Sequence, residues 1–214
     1  MNVLLTGFEP FGGEAINPSW EAVCALDGWR FDDVTVHAQR ICCVFGQAIG
    51  ELDAAIDRLR PDLVIAIGQA GGRSEITPER IAINIDDGRI CDNAGCQPID
   101  QPVVPGAPAA YFSSLPIKAI VQALRAADIP ASVSNSAGTF VCNHLFYALM
   151  HRIAREPGMR GGFIHIPYLP EQANALLDSP ASLPLATMVE ALRIAVRVSV
   201  ERDVDAREVG GALH

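Results

Sequence analysis

The chain of 214 residues is short of basic charge: 16 lysines and arginines stand against 25 acids, for a net charge of −9. Such a balance leaves no positive field to hold a phosphate backbone or an anionic membrane face, so nucleic acid is not expected as a partner. Long apolar runs are also missing. No stretch approaches the roughly 18 residues that a membrane-spanning helix requires. The opening Met1-Asn-Val-Leu-Leu-Thr-Gly-Phe-Glu-Pro10 has no basic start and only three consecutive apolar residues, so it does not read as a signal peptide, and a cytoplasmic location is expected.

Paired cysteines are lacking too. Six are scattered along the chain, and only Cys91 and Cys96 approach ligand spacing, with no second Cys/His pair to complete four ligands. Neither a disulfide framework nor a metal is expected. Gly68-Gln-Ala-Gly-Gly72 departs from the phosphate-loop and dinucleotide-binding patterns alike, and no cofactor is expected. Internal repeats, low-complexity tracts and linkers are absent as well, which points to one domain over residues 1–214.

Half of the residues are apolar, enough for a sizeable core. Short apolar runs bounded by turn residues alternate with stretches of helical period, the pattern of an α/β fold whose mostly parallel sheet carries helices on both faces. Strands are expected at Val3–Thr6, Val34–Ile41, Leu63–Gly68, Ala131–Asn135 and Gly162–Ile166, the third reading as buried on both sides. Helices are expected at Ser19–Leu26, Gly46–Leu59, Pro116–Ala127, Val141–Arg155 and Pro184–Arg202. Between Glu75 and Tyr111 the alternating Ile81, Ile83 and Ile85 precede a Gly, Pro and Asp-rich stretch, predicting a protruding strand pair followed by a long loop. The polar tail of about 203–214 is expected to fray.

In Ser134-Asn-Ser-Ala-Gly-Thr-Phe-Val-Cys-Asn-His-Leu-Phe-Tyr147 a short strand passes through small residues into a helix starting near Cys142. A thiol at a helix N-terminus meets unpaired N–H groups and the positive end of the helix dipole, which favour thiolate and can cradle an oxyanion. His165 ends the last predicted strand, and in a doubly wound sheet that places it on the same edge as Cys142, within reach as a base. His144 and His151 lie on the helix itself and read as structural. Glu75, Glu79 and Asp86 are the carboxylates near that edge that could orient the imidazole, and periodicity does not choose among them. A nucleoside phosphorylase-like transferase, from the same fold neighbourhood, would need a phosphate site and has no use for a Cys142 and His165 pair, while a peptide-binding module would bind peptides without turnover.

Several stretches together resemble the pyroglutamyl peptidase I family. They are Leu5-Thr-Gly-Phe-Glu-Pro-Phe-Gly-Gly13 with Asn17-Pro18, Gly68-Gln-Ala-Gly-Gly-Arg73, Glu79-Arg-Ile-Ala-Ile-Asn84, Asp92-Asn93, Gln97-Pro-Ile99, Ser134 to Asn143, and His165-Ile-Pro-Tyr-Leu-Pro-Glu-Gln172. The resemblance implies a cysteine exopeptidase that hydrolyses the amide after an N-terminal 5-oxoproline through an acyl-enzyme. It assigns Cys142 as nucleophile, His165 as base and Glu79 as the residue that orients it. It further implies that Phe8, Phe11 and Phe140 enclose the lactam ring, that backbone groups of Gln69 bond its N–H and C=O, and that Arg89 positions substrate or stabilises the oxyanion. A flat neutral ring suits apolar faces and directed amide bonds. Small pyroglutamyl peptides are thus the expected partners. The resemblance also implies a homodimer or homotetramer, and the poorly patterned Glu75–Tyr111 region is the candidate for its interface. The extra cysteines, Cys91 and Cys96 among them, are unusual for the family and put oxidation sensitivity in play.

Overall fold

A computed structural model describes residues 1–211. Eight strands and six helices follow one another as β1 (Asn2–Phe8), α1 (Pro18–Cys24), β2 (Arg30–Phe31), β3 (Val34–Ile41), α2 (Gln47–Leu59), β4 (Leu63–Gln69), β5 (Thr77–Pro78), β6 (Ile81–Ile83), β7 (Ala110–Phe112), α3 (Ile117–Ala126), α4 (Val141–Ile153), β8 (Arg160–Ile166), α5 (Pro170–Ala175) and α6 (Leu185–Glu201). Six strands form one sheet in the order β2-β3-β1-β4-β8-β5. The four central strands are parallel, and the two-residue edges β2 and β5 run antiparallel.

β1, β4 and β8 are almost wholly buried because helices cover both faces, leaving no side of the pleat for water, whereas β3 alternates buried Val34 and Val36 with half-buried Thr35 and His37. Alternation sorts their side chains into two clusters. Val3, Leu5, Ile65, Ile67, Ile164 and Ile166 pack with residues of α1, α3 and α6. Leu4, Val64, Ala66 and Phe163 pack on the opposite face with residues of α2 and α4. This parity assigns Gly68 and His165 to the α4 face. The result is an α/β/α sandwich, as the composition and periodicity predict.

Four expectations are revised. Ala131–Asn135 is not a strand: it touches its neighbours only through the isolated bridges Ile76–Ala131 and Glu79–Ser134. Its partner segment forms a two-residue strand ending in Pro78, and proline has no N–H to extend a ladder. The strand pair in the Glu75–Tyr111 region forms between β6 and β7, so the long loop lies within the pair rather than after it. Nor does the pair protrude, because both strands pack on α4. Asn143, on the first turn of α4, accepts from Ile83 N–H and donates to the carbonyls of Ile83 and Ile85, serving as a side-chain extension of β6. The fourth revision concerns the tail, whose part from 203 to 211 is held against α3. There the Asp205 carboxylate accepts from the N–H groups of Lys118 and Ala119, both at 3.0 Å, and the Gly210 carbonyl accepts from Arg80. Residues 212–214 of the predicted frayed segment lie outside the described residues.

The connection from 84 to 109 is long but pinned. Asn84 bonds Val104 N–H and the carbonyls of Val104 and Ala107 through its side chain. Asp92 accepts from the N–H groups of Phe45, Ala94 and Cys96, and Asn93 donates to Glu9 Oε1 and the Pro10 carbonyl. These bonds hold the loop over the carboxyl ends of β1 and β3.

Candidate active site

The carboxyl ends of β4 and β8 and the start of α4 meet on one face of the sheet. Gly68 and His165 are direct cross-strand partners. A Cβ built on Gly68 would lie 2.9 Å from Cys142 Sγ and 2.7 Å from the Phe163 ring, closer than side chains approach. The thiol therefore occupies the volume that a side chain at Gly68 would fill, alongside the strand position of His165. Phe140 precedes the helix as its N-cap and supplies no capping side chain, so the first N–H groups of α4 next to Cys142 have no side-chain partner at the cap.

His165 is 4% exposed, and its Nδ1–H donates to Glu79 Oε1 at 2.7 Å. Glu79 has no exposed surface. Its backbone N–H donates to the Phe163 carbonyl, which fixes the segment just after β5 beside β8. Of the three carboxylates that remained open, Glu79 is the one on His165. Asp86 is bonded to another histidine, and Glu75 lines a separate polar cleft.

Hydrogen bonding distinguishes His165 from that other buried histidine. His144 donates from Nδ1 to Asp86 at 2.8 Å and accepts at Nε2 from the Gly46 N–H at 2.8 Å. Both of its nitrogens are engaged, so it is a strut between the 86 loop, α4 and the start of α2. His165 Nε2 makes no hydrogen bond among the described residues, and Cys142 Sγ is not bonded to it in this state. Catalytic pairs are commonly loose before substrate binds.

Burial pushes the Glu79 carboxyl up, but the hydrogen bond from His165, with the charge of Arg73, outweighs it and holds the carboxyl below its ordinary value. Burial lowers His165 from its usual 6.5, opposed by Glu79 and aided by Arg73. The imidazole is thus neutral at rest. Burial also pushes the Cys142 thiol up to about 12, with Glu79 adding and Arg73 opposing. Desolvation thus opposes the helix-end effect by which the sequence reading favoured a thiolate. A neutral thiol beside a neutral imidazole can react by proton transfer as a bond to sulfur forms.

Phe11, Arg89 and Phe140 line a cleft of about 340 Å³ with Asp87, Ile90 and Thr139. The rings of Phe11 and Phe140 lie 6.1 Å apart, and Phe45 meets Phe140 edge-on at 5.3 Å. Gln69 ends β4, and its side-chain oxygen accepts from Gln172 of α5. Phe8 comes to the same end of the sheet but is buried with its ring near Phe163 and does not line the cleft. Sequence reasoning passed over Arg73, which donates to Glu79 Oε1 at 2.7 Å. Its place in the Gly68–Arg73 motif was the available signal. No group of three or more potential metal ligands occurs among the described residues.

The profile of the pyroglutamyl peptidase family matches residues 1–202. A pyrrolidone-carboxylate peptidase of Cupriavidus taiwanensis is 61% identical over 214 residues, covering 99% of both chains. Another from Bacillus licheniformis is 59% identical, covering 99% of this chain and 98% of its own. The crystal structure of pyroglutamyl peptidase I from Bacillus amyloliquefaciens superposes with a TM-score of 0.95 at 49% identity, covering 97% of this chain and 99% of that one.

Proposed function

The chain belongs to the pyroglutamyl peptidase family of cysteine-type hydrolases, and from that premise we propose that it removes N-terminal pyroglutamyl residues from peptides through a thioester on Cys142. One observation carries the reading: a buried imidazole, oriented by Glu79 at Nδ1 and uncommitted at Nε2, on the same face as a thiol seated over Gly68.

Substrate enters with its lactam ring between Phe11 and Phe140, its N–H and C=O on backbone groups of Gln69 and its scissile carbonyl over the first turn of α4. Phe8 packs near Phe163, the ring beside Gly68, and Arg89 stands at the cleft wall, where it positions substrate or stabilises the developing charge. His165 Nε2 takes the proton from Cys142 as sulfur bonds to the carbonyl carbon. The oxygen becomes an oxyanion facing the N–H groups at the helix start. Collapse breaks the C–N bond, and the imidazolium returns its proton to the departing amine. A water then gives a proton to Nε2 and attacks the thioester, and the thiol is released with free pyroglutamate. Glu79 holds the imidazole in the tautomer that leaves Nε2 open.

No metal or cofactor takes part in this scheme. We place the enzyme in the cytoplasm, as a homodimer or homotetramer. Release of a fluorophore from a pyroglutamyl amide tests the reaction: wild type turns over under reducing conditions, and Cys142→Ala loses essentially all activity. A well-folded, reduced wild type that releases nothing would remove the reading.

A further inference from the structure

We propose that Arg73 is a positioning residue of the proton relay, its guanidinium holding Glu79 on His165 and tying together the chain segments that deliver the three reacting groups. The inference rests on the peptidase reading above.

Two donors converge on one oxygen of Glu79. Arg73 Nη1 and His165 Nδ1 each lie 2.7 Å from Oε1, while the buried Oε2 has no hydrogen-bond partner among the described residues. A proton on Oε1 would displace one of these donors. A proton on Oε2 would have at most the nearby Ser134 hydroxyl to bond, a group that itself favours the anion. Only the carboxylate satisfies both contacts, and arginine cannot relieve the crowding by giving up its charge.

Its other contacts reach further. Nη1 also donates to Thr77 Oγ1, and that hydroxyl donates to the carbonyl of His165 at 3.4 Å. Nη2 donates at 3.1 Å to the carbonyl of Ser136, in the loop that leads into Cys142. One side chain thereby touches β5, its cross-strand partner β8 through Thr77, and the approach to α4.

Arg73 also separates the relay from water. Its side chain is 30% exposed while that of Glu79 is 0% exposed, and it lines a polar cleft of about 360 Å³ with Ser74, Glu75, Thr77, Ser132 and Ser134. The charged groups acting on His165 are Glu79 just after β5 and Arg73 from the loop before β5, while Cys142 from α4 lies against Gly68, the cross-strand partner of His165. The positive charge of Arg73 favours the Glu79 anion and the Cys142 thiolate, which assists the relay, and it also keeps His165 neutral at rest at some cost to its strength as a base.

The experiment compares wild type, Cys142→Ala, Arg73→Met and Arg73→Lys in kcat and KM for a pyroglutamyl fluorogenic amide from pH 4 to pH 10. Arg73→Met is expected to lose roughly 10- to 100-fold in kcat with little change in KM, as a misaligned base does. Its acid limb of kcat/KM should move to higher pH, because Glu79 and His165 both hold protons more tightly without the guanidinium. Arg73→Lys, which keeps the charge but not the fork, should return the limb toward wild type and only part of kcat. An Arg73→Met enzyme with wild-type kcat, or with reduced kcat and an unmoved limb, would overturn the proposal. Where Arg73→Met does not fold, Arg73→Lys decides: full kcat, or a limb as displaced as a neutral residue would give, overturns it. Inactive wild type, or active Cys142→Ala, would instead sink the underlying peptidase reading.

Discussion

Gly68 has no catalytic atom of its own, yet it sets where the thiol can lie. Its missing side chain is the seat of Cys142 Sγ, and any Cβ would collide with both sulfur and the Phe163 ring. Gly68→Ala is accordingly expected to cost about 1–3 kcal/mol of stability as the core is overpacked. Turnover of a pyroglutamyl amide should fall by a much larger factor than the folded fraction does. Denaturant unfolding measured beside activity checks this, and equal losses would show that the glycine serves packing alone. Cys142 and His165 were legible from sequence because each follows a strong local pattern, a helix start and a strand end. Glu79 was singled out only by the resemblance, since which of three carboxylates reaches the imidazole depends on an edge strand of two residues. The seat at Gly68 and the grip of Arg73 were not legible, as both depend on side chains that meet across the sheet or around a turn.

Among the elements, β4 and β8 were the most readable, because a strand covered on both faces must be apolar throughout. The pairing of β6 with β7 was hidden, since 26 residues of irregular but hydrogen-bonded loop lie between them, from 84 to 109. The start of α3 shows how a distant segment completes an element. Pro116 offers no side-chain cap, and the orphan N–H groups of Lys118 and Ala119 are satisfied instead by Asp205, 86 and 87 residues away. A tail that is polar and lacks apolar residues at regular spacing gives no hint of this role in sequence. Asp205→Ala should therefore cost about 1 kcal/mol, the usual loss of an N-cap. In a chain of this size that amounts to a melting temperature lower by roughly 2–4 °C. Differential scanning calorimetry reads the shift, and an unchanged melting temperature would mean that the tail merely rests on α3.

At the scale of the molecule, the sandwich architecture followed from composition and periodicity, while the assembly state is a proposal with a surface to test. Phe112 on β7 and Ile99 in the adjoining loop are each 70% exposed, large apolar side chains left to water by this chain alone. Light scattering on purified protein should give two or four times the 22.8 kDa of one chain, and Phe112→Asp should shift it toward one. A wild type that runs only as a monomer would dispose of the oligomer. The order of the sheet also has a bearing on synthesis. β5 is the outermost strand on its side and its partner strand in the sheet is β8, so Glu79 waits for a histidine 86 residues further along the chain. While the ribosome is making the chain, β1, β3 and β4 can assemble early, but β8 and with it the reactive centre come together only after three-quarters of the chain has emerged. A nascent chain thus passes through most of its production without a working centre, and acquires one in a late closing step.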